Sequence, residues 1–188
     1  MVKNHHLKET WALQFNGEHL AQAGHFTKQE GEYIKFFKKY LCHARPPQGC
    51  KIGRVLEIGP GNGNFARYLL DHHAISSYTI LDLERHMVPL KHRLKQYHQV
   101  DYISSFEYEK IFEKEYDLLI AIQCLSETPA YYADNIFNNI KAAKTFILDG
   151  NPSMPGYDNR LLEFTQTYPQ WEVVQTNVCN SKLYMGGQ

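Results

Sequence analysis

The sequence predicts an α/β three-layer sandwich with a mostly parallel seven-stranded sheet, an antiparallel last strand and extra N-terminal helices. Three observations carry this. From Lys51 onward, short apolar runs alternate with stretches of helical periodicity, the pattern of parallel strands joined by crossover helices. The first run turns into a helix through a glycine-rich loop, and the next run ends in an acid, Asp82. Residues 1–50 show helical spacing and no strand-like run.

Composition narrows the classes. A chain of 188 residues has the size of one domain. Scaling has such a chain bury roughly 70% of the surface it exposes when unfolded, so a core forms without a metal or disulfide staple. The apolar fraction of 43% and charged fraction of 21% exclude disordered, collagenous and coiled-coil readings. Lys plus Arg equals Asp plus Glu at 20 each, so no net field draws the chain to nucleic acid or membrane, and neither is expected as a partner. The longest apolar run, 118–122, falls far short of the ~20 residues that span a bilayer. The polar N-terminus has no apolar signal core, and a cytoplasmic location is expected. Cys42, Cys50, Cys124 and Cys179 lack CxxC spacing and read as reduced thiols. No His/Asp/Glu cluster has ligand spacing, so no metal is expected.

The elements follow in order. Leu7, Trp11 and Phe15 recur at helical spacing until Asn16-Gly17. Thr27 and Glu30 form a capping box for a second helix with Ile34, Phe37 and Leu41 on one face. Residues 43–49, containing Pro46-Pro47, link this segment to the rest, giving an N-terminal helical part (1–50) and a core (51–188). Strands are expected over 54–59, 78–82, 101–104, 117–124 and 145–149, then an antiparallel pair at 171–177 and 182–185. Helices are expected over 64–71, around 87–97 with Pro89 in the first turn, near 132–143, and over 161–168.

Ligands on such a sheet bind at the carboxyl ends of the strands near the switch point. There the sequence reads Glu57-Ile58-Gly59-Pro60-Gly61-Asn62-Gly63 and passes directly into a helix. Glycines permit the sharp turn and let a ligand approach without a Cβ in the way. Asp82 ends the next strand nineteen residues after Gly63, where a carboxylate can accept from ribose hydroxyls.

With the string VLEIGPGNG at its centre, the segment 51–188 resembles the class I S-adenosylmethionine-dependent methyltransferases, whose fold is Rossmann-like. The resemblance implies S-adenosylmethionine as cofactor. It places Glu57, Gly59, Pro60, Gly61, Asn62 and Gly63 around the methionine and ribose part, Asp82 on the ribose and Leu83 against the adenine. The third-strand adenine position falls on Ser105-Phe106, where the usual acid is missing. YDLLIAIQCLSE matches the next family motif, whose end lines the methyl-transfer site, and the terminal strand pair fits the family's reversed last strand.

The Asn/Asp-Pro-Pro-aromatic turn of enzymes that methylate nucleobase or amide nitrogen is absent after Cys124. The strings LSETP and YTILDL are similar to sugar O-methyltransferases, so the expected partner is a small polar acceptor that receives the methyl on a hydroxyl. Such transfer needs in-line alignment and a base. Glu127 is the first candidate base, although a carboxylate at a helix start is equally explained by the dipole. Asp149, at the fifth strand end, is the second. Tyr131, Tyr132 and Tyr157 suit stacking on an acceptor, and His19 and His25 lie in a segment that often lids the site in this family. Two other readings stay open: a non-catalytic cofactor-binding scaffold, and a nicotinamide-dependent oxidoreductase, against which Asn64 stands where GxGxxG wants glycine. The expected assembly is a monomer or a homodimer.

Overall fold

β1 (Lys51–Ile58) lies inside the sheet because Val55, Leu56 and Ile58 are apolar on both faces, and all three are buried. The computed structural model describes residues 37, 51–122, 124–125, 128–149, 170–175 and 182–187. After the glycine loop, α1 (Asn64–His72) buries the stripe Phe65, Ala66, Leu69 and Leu70. β2 (Ala74–Asp82) alternates between exposed and half-buried positions at its start and is fully buried over its last five residues. α2 (Glu84–Arg93) buries Met87 and Leu90. There follow β3 (Val100–Ser104), two short 3-10 turns kinked at Glu107 (Ser105–Glu113), β4 (Glu115–Ile122), α3 (Ala130–Asn139) and β5 (Lys141–Asp149). β6 (Gln170–Gln175) and β7 (Lys182–Gly187) complete the described strands.

The strand order is β3-β2-β1-β4-β5-β7-β6. β1 to β5 are mutually parallel, whereas β7 runs antiparallel to both β5 and β6. The expected parallel sheet clothed in helices is therefore the observed one. One apolar layer joins Phe65 and Leu69 of α1 and Leu90 of α2 to Val55, Ile80, Leu118 and Phe146. The other joins Tyr108 and Ile111 of the 3-10 segment and Tyr132 and Ile136 of α3 to Leu56, Leu81, Leu119 and Ile147. Order reverses at β1: the chain first builds outward through β2, then returns to β1's other edge with β4. The crevice this opens lies at the carboxyl ends of β1 and β4.

Some boundaries differ from expectation. Residues 141–143 open β5 instead of closing the preceding helix. Lys141-Ala142 has helical propensity, but its pairing with Glu115-Tyr116 overrides it. Pro89 sits six residues into α2, beyond the first turn, so the Arg85 carbonyl has no i+4 amide to accept. β4 ends at Ile122, and Cys124 lies just past it.

Phe37 is fully buried, with Phe65 and Phe146 edge-on to its ring at 5.3 and 5.1 Å. An apolar residue at position 37 thus has a packing reason. The remainder of the expected N-terminal helices, the helix over 161–168, Glu127, His19, His25, Tyr157, Cys42, Cys50 and Cys179 lie outside the described residues. Asp149 is the last residue of β5, and its side chain is likewise outside them.

Candidate active site

The loop after β1 is pinned from two sides. The Gly59 amide donates to the Leu81 carbonyl of β2 (2.9 Å), and the Gly63 amide donates to the Pro60 carbonyl (2.9 Å), closing the turn that starts α1. Asn62 accepts the Asn64 amide through Oδ1 (3.1 Å), so its side chain shapes the first helical turn. Gly59 and Gly61 both have positive φ, +64° and +57°. A Cβ on Gly59 would stand 2.5 Å from the Cys124 Cβ. One on Gly61 would meet nothing within 4 Å, so this stretch of exposed backbone faces open space.

Glu57, next to the end of β1, is buried and accepts the Tyr78 hydroxyl at 2.8 Å. The two lie diagonally across the β1–β2 ladder, since Val55 pairs with Tyr78. Burial pushes the Glu57 carboxyl up to about 8; the Tyr78 bond partly offsets this and the nearby Asp82 charge adds to it. Burial and the Glu57 carboxyl together push the Tyr78 hydroxyl well above its ordinary range.

Asp82, also buried, sits just before the amino end of α2, whose dipole favours a carboxylate. Its Oδ1 accepts the Leu83 amide (2.7 Å) and the His86 ring through Nδ1 (2.9 Å). Oδ2 is buried and has no hydrogen-bond partner among the described residues. Leu83 caps α2 and is 8% exposed. At the end of β3, Ser105 is buried and Phe106 is 38% exposed, with the Phe106 amide donating to Ser104 Oγ. On the opposite side of the crevice the Cys124 thiol donates to the Ile58 carbonyl (2.9 Å). Thr128 bonds back to Cys124 through its hydroxyl (2.8 Å) and to Leu125 through its amide (3.1 Å).

The strand ends thus bring the expected residues Glu57, Gly59, Pro60, Gly61, Asn62, Gly63, Asp82 and Leu83 to one edge of the sheet, with Ser105 and Phe106 one strand further out. Tyr132 is core, edge-on to Tyr108 at 4.9 Å, whereas Tyr131 is 46% exposed. Sequence reasoning passed over Tyr78, His86 and Cys124 as members of this constellation. The i,i+4 spacing of Asp82 and His86 was the one legible signal. Among the described residues no group of three His, Cys, Asp or Glu side chains could hold a metal ion, and no helix is long and apolar enough to cross a membrane.

An adenosyl cofactor suits this arrangement: an orphaned buried acceptor at Asp82 and a glycine with no atom above it are what a ribose and its attached chain require. Residues 56–145 match the family model described as a methyltransferase domain. Fold, loop and family match are together those of a class I S-adenosylmethionine-dependent methyltransferase, a class whose cofactor is S-adenosylmethionine. No curated protein matches the chain by sequence. Among solved structures it is similar to N-methyltransferase NodS from Bradyrhizobium japonicum in complex with S-adenosyl-L-homocysteine, with 14% identity, 83% of this chain and 84% of that one covered, and TM-score 0.59. It is similar to an rRNA methylase from Streptococcus thermophilus (14% identity, 82% and 96% covered, TM-score 0.57). A third is an O-methyltransferase family protein from Burkholderia thailandensis (13% identity, 72% and 50% covered, TM-score 0.52). The acceptors named for these three differ, so the shared fold leaves the acceptor to the residues around it.

Proposed function

We propose that the glycine loop and Asp82 bind S-adenosylmethionine, and that the chain transfers the methyl group to a hydroxyl of a small polar, sugar-like acceptor. The observation carrying the cofactor assignment is the buried Asp82 Oδ2, which lacks a partner among the described residues and is matched in chemistry by a ribose hydroxyl. On this reading Glu57, Gly59, Pro60, Gly61, Asn62 and Gly63 surround the methionine and ribose part, and Leu83, Ser105 and Phe106 lie toward the adenine. When bound, the cofactor supplies a methyl group activated by its sulfonium.

The chain's own part is to align the acceptor oxygen and take its proton. We assign the proton to Glu127, with Asp149 as the second candidate. Support comes from position: Cys124 contacts the glycine loop, and Thr128 ties back to Cys124 and Leu125, which fixes both flanks of the segment holding Glu127. Support also comes from the missing Asn/Asp-Pro-Pro-aromatic turn and the zero net charge.

Glu127→Gln keeps the shape and removes the base. Turnover on the acceptor should fall by roughly 10²- to 10⁴-fold while cofactor affinity stays near wild type. Unchanged turnover, or methylation found on nitrogen alone, rejects the assignment; cofactor binding without turnover on any acceptor class would favour a scaffold role.

A further inference from the structure

Two oxygens of one carboxylate are chemically equivalent, so their surroundings decide which one meets a ligand. In Asp82 the division is complete: Oδ1 takes both the Leu83 amide and the His86 ring, while Oδ2 takes nothing among the described residues. The terminal torsion of an aspartate is broad and nearly two-fold, so a single donor leaves the carboxylate plane free to tilt. A second donor arriving from a side chain fixes that plane.

The ring is itself held. Its side chain is 17% exposed, and the Arg85 guanidinium donates through Nε to His86 Nε2 at 3.4 Å. With Nε2 accepting, the ring proton sits on Nδ1, the tautomer that donates to Asp82. Helix geometry supplies the placement: His86 is the third residue of α2, one turn beyond Asp82, so the pair meets on one face.

We propose that His86 is a positioning residue for cofactor binding, locking the Asp82 carboxylate so that Oδ2 is kept for a ribose hydroxyl. This rests on the reading of Asp82 as the ribose acid and adds to it a residue that acts through the acid without touching the ligand.

The test is calorimetric titration of the full chain with S-adenosylhomocysteine and with its 2′,3′-dideoxy analogue. His86→Asn keeps an N–H donor near the Nδ1 position and should bind S-adenosylhomocysteine close to wild type. His86→Gln carries its donor further out and His86→Leu has none; each should weaken S-adenosylhomocysteine about tenfold. Neither should further weaken the dideoxy analogue, which lacks the hydroxyls that the clamp serves. Equal losses for both ligands would reveal general damage to the site and overturn the proposal. Wild-type affinity in Gln and Leu would overturn it too. If His86→Leu does not fold, as judged by ligand-free melting, the Asn and Gln pair decides alone. Asp82→Ala separates the two readings: unchanged affinity there defeats the ribose assignment itself, whereas a loss there with normal His86 variants defeats only the clamp.

Discussion

Gly59 and Gly61 share a left-handed backbone for different reasons, close packing at one and an open approach at the other. Alanine at Gly59 must displace Cys124 and disturb its bond to Ile58, so Gly59→Ala should lower the melting temperature. Gly61→Ala carries only the left-handed strain of about 1–2 kcal/mol. Gly61→Val should leave the chain folded yet abolish S-adenosylhomocysteine binding by calorimetry; binding at wild-type strength would show that the cofactor does not cross this backbone. Glu57 gives a pH prediction. Its folded carboxyl titrates near 8 against 4.5 for the ordinary group, so the folded state favours the neutral form. The associated stability is fully present below about 4.5 and is lost as pH rises through 8. Glu57→Gln still accepts from Tyr78 and has no proton to lose. Melting curves should therefore diverge progressively between about pH 4.5 and 8 as the wild type loses stability, and run parallel above 8 with the variant the more stable. Glu57, the glycines and Asp82 were legible because loop and strand-end signals are local. Tyr78 was not, because its contact with Glu57 depends on the register between two strands.

α2 holds a proline where a helix has most to lose by it. Pro89 is exposed, contributes no core packing and denies the Arg85 carbonyl its amide. Pro89→Ala restores that bond and a better propensity, worth up to ~3 kcal/mol, against about 0.4–1 kcal/mol of unfolded-state entropy. Thermal unfolding should show a rise of a few degrees, given about 2–4 °C per kcal/mol at this size. Elements were readable wherever apolar spacing was strong, as in β1, α1 and the apolar run of β4. The 3-10 segment had no such spacing, and residues 141–143 carried a local preference opposite to the structure they adopt, since ladder bonds to β4 outweigh a Lys-Ala tendency.

At the scale of the whole molecule, Phe37 is a buried part of the core. Its ring contacts Phe65 of α1 and Phe146 of β5. Phe37→Ala should cost about 3–5 kcal/mol of unfolding free energy, measured by urea titration. A cost near zero would contradict this packing. The three-layer architecture was legible because alternation of strands and helices admits few topologies; the place where a remote residue fills the core was not. The position of β1 has a consequence in time. During synthesis β1 can pair with β2 soon after both emerge, but its other edge waits for Leu118 to Ala121, about 60 residues later. At about 5–20 residues per second that apolar edge stands open for roughly 3–12 s. The growing chain is thus most open to chaperones, and to wrong partners, in the seconds before β4 arrives.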